Sequence, residues 1–196
     1  MPEGLTIARS ELILGGQKSG KSRRAERLAS AWLAQSPQHR AVLVATTHAG
    51  DDEMLARIAR HQQDRAACVP AMLTIEEPLA LAEAITEHGN THTLVLVDCL
   101  TLWLTNCLLP GPEFMTNRPL APDSRAQAAM LLIAIKQAAG PVVLVSNEIG
   151  LGVIPLGRET RDFVDALGRL NQEVAAICER VTFMAAGLPL TLKGTA

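Results

Sequence analysis

Apolar runs at residues 12–14, 41–45, 94–97, 142–145 and 181–185 are continuous rather than alternating with polar residues. A strand with one wet face alternates with period two, so continuous runs predict strands buried on both faces, as in parallel sheets covered by helices above and below. Stretches with helical spacing lie between them, at 21–35, 51 to about 63, 78–88, 123–139 and 160–180. This alternation predicts an α/β fold with right-handed crossovers. Residues 69–75 offer a further strand between the second and third helices, and 188–193 a terminal strand that folds back on the one before it. Residues 110–122, with their Pro, Gly and Asn, predict a long loop. Residues 1–10 read as an N-terminal extension and 11–196 as a single domain.

A chain of 196 residues with 48% hydrophobic and 19% charged residues carries enough apolar surface for one sizeable core, which excludes a disordered chain. The formal net charge of -2 gives no general attraction to nucleic acid, and the basic residues Lys18, Lys21, Arg23, Arg24 and Arg27 are confined to one segment. With no Tyr, three Phe and two Trp, the chain has no platform for stacking single strands. Cys68, Cys99, Cys107 and Cys178 lack C-x-x-C spacing, so they read as buried thiols in a reducing compartment. Every long apolar stretch is interrupted, as by Asp98 and Asn106 between Leu94 and Leu109, and the N-terminus shows no signal-peptide pattern. The expectation is a cytoplasmic protein with no membrane span and no nucleic-acid partner.

The first apolar run leads into Gly15-Gly16-Gln17-Lys18-Ser19-Gly20-Lys21-Ser22, which satisfies G-x-x-x-x-G-K-[ST]. In such a loop the glycines let backbone N–H groups turn inward around phosphate oxygens, the lysine reaches the β- and γ-phosphates, and the hydroxyl of the last residue ligates Mg²⁺. A helical pattern begins at once, so the loop opens onto a helix N-terminus whose partial positive charge also favours phosphate. The fold expected is therefore P-loop NTPase-like, with a mostly parallel central sheet flanked by helices and a small antiparallel strand addition at the C-terminus. The loop points to a nucleotide without saying which reaction follows.

Asp98 ends the run Leu94-Val95-Leu96-Val97, at the edge where open α/β sheets bind ligands. A carboxylate there suits a Walker-B-like role beside Mg²⁺, or a cap on the following turn. His61 falls in one helical row with Met54, Ile58 and Arg65 at steps of roughly 3.6 residues. Pattern alone leaves it either a hydrogen-bonded core residue or a nucleophile: an imidazole with an ordinary pKa of about 6.5 is largely neutral in the cytoplasm and can attack phosphorus. The end of the second strand, Ala45-Thr46-Thr47, is expected near the loop, and the polar stretch Ser146-Asn147-Glu148 with its following glycines belongs on the same edge. Thr74-Ile75-Glu76-Glu77 offers carboxylates after a strand, or a solvated helix start.

Taken in order, these segments resemble the bifunctional adenosylcobinamide kinase / adenosylcobinamide-phosphate guanylyltransferase family of cobalamin biosynthesis. The resemblance runs from Glu11 to Lys193 through the loop, Ala45-Thr46-Thr47, Asp51-Asp52-Glu53-Met54, the helix to His61, Thr74-x-Glu76, Val97-Asp98-Cys99-Leu100-Thr101, Thr105-Asn106, Val145 to Gly150, and Gly168-Arg169-Leu170-Asn171-Gln172. It implies phosphorylation of adenosylcobinamide by ATP or GTP, then guanylyl transfer from GTP to adenosylcobinamide phosphate through GMP carried on a histidine. By resemblance, that histidine is His61, and Gln62, Gln63, Asp64, Arg65, Ala45, Thr46, Thr47, Glu76 and Asp98 align with guanine-nucleotide contacts. The resemblance also implies a homotrimer. A small-molecule kinase without guanylyl transfer, or a nucleotide-dependent switch, would share the loop and Asp98 alone.

Overall fold

The computed structural model describes residues 5–47, 69–109, 124–152 and 155–195. The apolar runs form strands β1 (Ser10–Gly15), β2 (Arg40–Ala45), β4 (Thr93–Asp98), β5 (Val142–Val145) and β6 (Arg180–Ala185); β3 (Met72–Glu76) and β7 (Leu188–Lys193) complete a seven-stranded sheet. Its order is β3-β2-β4-β5-β1-β6-β7, with β1 to β6 parallel and β7 antiparallel to β6. The helices are α1 (Lys21–Gln35), α2 (Leu81–His88), α3 (Leu100–Leu108), α4 (Ser124–Gln137) and α5 (Arg158–Ile177).

Successive residues of a strand face opposite sides, so the continuous runs feed two apolar layers. Leu12, Leu14, Val44, Val95, Val97 and Leu144 pack against α2 to α5 through Leu81, Ile85, Trp103, Leu131, Leu167 and Val174. On the opposite face Ile13, Leu43, Leu96, Val143 and Val145 pack against Ala25, Leu28 and Ala29 of α1, joined by Leu5 and Ile7. No described helix is long and apolar enough to cross a membrane.

The structure differs from the sequence pattern at particular elements. Helix α3 was not anticipated: Leu100, Trp103 and Leu104 are its buried residues, but their spacing merges with the apolar run of β4. Helix α2 starts at Leu81 rather than 78, because the Glu77 carboxylate takes the N–H groups of Leu79 and Ala80 before the helix begins. Helix α5 stops at Ile177, since Arg180 is already paired in β6 opposite Glu11. Residues 5–9 are tethered rather than loose: the Arg9 N–H donates to Glu179, and the Arg180 guanidinium donates to the Thr6 carbonyl and hydroxyl. The helix expected at 51–63 and the loop expected at 110–122 lie outside the described residues.

One polar residue sits inside this frame. Glu11, in β1, is 1% exposed. Its Oε1 accepts from Arg24 Nε at 3.0 Å and from Thr182 Oγ1 at 2.8 Å, while Oε2 accepts from Arg180 Nη1 at 3.2 Å. Arg24 belongs to the first turn of α1, so the buried carboxylate ties that turn to the sheet. Removing one member of a buried charge network leaves its partners uncompensated. Glu11→Gln should therefore lower unfolding stability by about 3–5 kcal/mol. Urea unfolding checks this, and a loss below about 1 kcal/mol, the range of exposed pairs, would show the network to be dispensable.

Candidate active site

The chain leaves β1 through a turn that only glycine fits. Gly15 has φ 151°, and a Cβ there would lie 2.5 Å from the Met184 carbonyl oxygen. Gly20, the residue before α1, has φ 100°, and Lys18 between them is also left-handed at φ 55°. The loop is closed by Ser19 N–H donating to the Gly16 carbonyl at 3.3 Å, and anchored to the β6–β7 turn by Gly187 N–H donating to the Ser19 carbonyl at 2.9 Å. Gly16, Gln17 and Lys18 are exposed. Among the described residues helix α1 has no side-chain cap, and its first turn carries no acidic residue. Its first N–H groups and positive dipole end thus remain free for an anion.

Within the loop, Lys21 is buried and its Nζ donates to the Gly16 carbonyl at 2.7 Å. Burial holds this amine below its ordinary 10.5, partly offset by Cys99 and Asp98. Burial, reinforced by Asp98, pushes the Cys99 thiol up to about 11, so it stays protonated at neutral pH. Ser22 Oγ donates to Asp98 Oδ2 at 2.9 Å. The Ser19 hydroxyl is buried without a hydrogen-bond partner among the described residues. A hydroxyl and a carboxylate side by side form a hard-oxygen pair of the kind Mg²⁺ takes together with phosphate oxygens.

Strand register sets the rest of this edge. Glu76, Ala45, Asp98 and Val145 are partners in one row across β3, β2, β4 and β5. Glu76 is exposed and two strands from Asp98, about 10 Å at ordinary strand spacing. The Ala45 carbonyl accepts the Glu77 N–H. Thr46 is fully buried, and its hydroxyl both donates to the Cys99 carbonyl at 2.7 Å and accepts the Cys99 N–H at 2.8 Å. That hydroxyl is spent on locking the end of β2 to the turn after Asp98. Thr47 is half-buried. His61, Gln62, Gln63, Asp64 and Arg65 lie outside the described residues.

The polar stretch after β5 lies on this edge, as its place after a buried strand implies. The structure ties it in closely: the Glu148 N–H donates to the Gly15 carbonyl at 3.2 Å, and Asn147 N–H donates to Thr101 Oγ1 at 2.9 Å. Asn171 of α5 accepts from Ser146 Oγ at 2.7 Å and donates to the Asn147 carbonyl at 3.0 Å. The available signal was an amide at position 171 within the buried stripe Leu167, Leu170 and Val174. Beyond Glu148 opens a groove of about 770 Å³, lined by Ile149, Gly150, Arg158, Arg161, Arg169 and Gln172 among others.

Residues 11–192 match the family model described as cobinamide kinase / cobinamide phosphate guanyltransferase. The chain is 49% identical over 185 residues to the bifunctional adenosylcobalamin biosynthesis protein CobP of Pseudomonas aeruginosa, covering 94% of this chain and 97% of that protein. It is 34% identical to the bifunctional adenosylcobalamin biosynthesis protein CobU of Escherichia coli, covering 93% and 98% respectively. Among solved structures, the flagellar accessory protein FlaH of Methanocaldococcus jannaschii superposes with a TM-score of 0.50 at 12% identity, covering 99% of this chain and 82% of that one. At that identity the likeness concerns the fold alone.

Lys21 gives the loop a titration signature. Free Lys21 sits below its ordinary 10.5, and a triphosphate beside it raises its pKa by favouring the charged form. Between the free and bound values, binding takes up a proton and affinity falls as pH rises; below both there is no uptake. Calorimetry of nucleoside triphosphate binding in buffers of different ionisation enthalpy should detect this alkaline uptake. Lys21→Arg, whose guanidinium does not titrate, should abolish it. Equal uptake in both proteins would place the phosphates away from Lys21.

Proposed function

The chain belongs to the cobinamide kinase / cobinamide phosphate guanyltransferase family, and from that premise we propose that it performs both reactions of nucleotide-loop assembly. It phosphorylates adenosylcobinamide with ATP or GTP, then transfers a guanylyl group from GTP to adenosylcobinamide phosphate to give adenosylcobinamide-GDP. The observation that carries the reading is the loop Gly15–Ser22, with Lys21 inside it and Ser22 bonded to Asp98 across β5.

In the kinase step, the loop amides and the α1 N-terminus bind the β- and γ-phosphates, with Gly15, Gly16, Gln17, Lys18, Ser19 and Gly20 supplying the backbone. Lys21 leaves the Gly16 carbonyl for phosphate oxygen and stabilises charge that grows on the leaving group. Ser22 and Asp98 would hold Mg²⁺, which neutralises phosphate charge when bound.

In the guanylyl step, His61 is the nucleophile. Its neutral ring nitrogen forms a bond to the α-phosphorus while the bond to the bridging oxygen breaks, and pyrophosphate departs with the electron pair toward Lys21. A phosphate oxygen of adenosylcobinamide phosphate then displaces the histidine from phosphorus. This assignment rests on the resemblance of the segment ending in His61 to the part of the family that carries GMP on histidine. Gln62 to Arg65, Ala45 to Thr47, Glu76 and Asp98 form the guanine-nucleotide contacts, with Thr46 contributing as the buried residue that positions its neighbours, because its hydroxyl, N–H and carbonyl are engaged by Cys99, Asp98 and Asn106. The chain acts in the cytoplasm as a homotrimer.

Incubation with α-labelled GTP and Mg²⁺ tests the covalent step. Wild type should retain label on the protein in an acid-labile, base-stable bond, as a phosphoramidate requires, while His61→Asn retains none and still phosphorylates adenosylcobinamide. Lys21→Ala should lose both activities, by about 3–4 kcal/mol of transition-state stabilisation on the precedent of a removed oxyanion donor. Full labelling of the Asn variant, or joint loss of both activities with a lower melting temperature, would contradict the role given to His61.

A further inference from the structure

Strand β5 lies between the strand that carries the phosphate loop and the strand that ends in Asp98, and the chain leaves it through Ser146-Asn147-Glu148. The Glu148 N–H bonded to the Gly15 carbonyl fixes this residue against the first residue of the loop. Its neighbours are held from two helices, Asn147 by Thr101 of α3, and both Ser146 and Asn147 by the buried amide of Asn171 on α5. The backbone is therefore rigidly placed. The carboxylate is not consumed: it is half-buried, and among the described residues it meets only Asn171 Nδ2, at 3.5 Å, a contact too long to count as a strong bond.

Among the described residues, Asp98, Glu77 and Glu76, the other carboxylates of this edge, are committed or remote. Asp98 accepts from Ser22, Glu77 accepts the N–H groups before α2, and Glu76 stands two strands farther out than Asp98. Phosphoryl transfer to a hydroxyl needs a group to take the hydroxyl proton.

We infer that Glu148 is the general base of the phosphoryl-transfer step, an inference that rests on the kinase reaction proposed above. As the acceptor oxygen bonds to the γ-phosphorus, the bond from that phosphorus to the β–γ bridging oxygen breaks, and its electron pair leaves on the nucleoside diphosphate. The hydroxyl proton passes to the Glu148 carboxylate and from there to water. The groove lined by Ile149, Gly150, Arg158 and Arg169 begins at the residue after Glu148 and has room for a bulky acceptor. Asn171 is a positioning residue, acting through the loop that bears Glu148.

Steady-state phosphorylation of adenosylcobinamide by the full chain, compared among wild type, Glu148→Gln and Glu148→Asp, tests this. Absence of activity in wild type would remove the kinase reading itself, and this inference with it. With wild type active, Glu148→Gln should lower kcat by about 10²- to 10⁴-fold, the usual contribution of a general base. The KM for ATP and the affinity for a non-hydrolysable ATP analogue should stay within about twofold, because the loop is untouched. Glu148→Asp, which keeps a base on a shorter stem, should recover part of the rate. A kcat for Glu148→Gln within about threefold of wild type would overturn the assignment. So would a loss of nucleotide affinity that matches the loss of rate in both variants, which would make Glu148 a support of the loop.

Discussion

A negative charge buried in the strand that feeds the phosphate loop organises this molecule. Glu11 is neutralised by Arg24 on α1 and Arg180 on β6, and Thr182 completes its hydrogen bonding. Apolar residues of similar volume can stabilise such a position equally well. They do not fix direction. The Arg24 bond sets the rotation of the first turn of α1, and Ser22 in that same turn is thereby aimed at Asp98. The helix N-terminus, the lysine and the hard-oxygen pair thus share one frame.

The strand order then concentrates polar chemistry at one edge. With β5 between β1 and β4, the loop and Asp98 approach from either side of it, and the residues after β5 emerge between them. Parallel strands all end on this edge, so every strand delivers a connecting segment there. Thr46 clasps the Cys99 backbone, Thr101 clasps Asn147, and Asn171 binds Ser146 and Asn147. Apart from the bond between the Ser146 hydroxyl and the Asn171 amide, these side chains spend their polar groups mainly on the backbone, which is how a site built on connections becomes as rigid as one built on strands.

Much of this was legible in the sequence. Continuous apolar runs gave five of the strands because both faces of a parallel sheet are covered, and the glycines at 15 and 20 with Lys21 marked the loop because few other residues tolerate its backbone. Helix α3 was hidden because the spacing of Leu100, Trp103 and Leu104 is submerged in a stretch that is apolar throughout. The seating of residues 5–9 was hidden because it depends on Arg9 reaching Glu179 and Arg180 reaching Thr6, contacts across some 170 positions that no local pattern encodes. Thr46, which the family resemblance gives as a guanine-nucleotide contact, spends its hydroxyl on the Cys99 backbone. Position along a strand places a residue on an edge without saying what its side chain touches.

In the proposed reactions Gly15–Ser22 and Asp98 form one phosphate and metal site. A crystal structure with a non-hydrolysable ATP analogue and Mg²⁺ tests it most directly. The expected complex holds the β- and γ-phosphates inside the loop, Lys21 Nζ moved from the Gly16 carbonyl to phosphate oxygen, and Ser22 and Asp98 on either side of the ion, each bound directly or through water. A triphosphate bound elsewhere, with Lys21 still on Gly16 and no ion between Ser22 and Asp98, would contradict it.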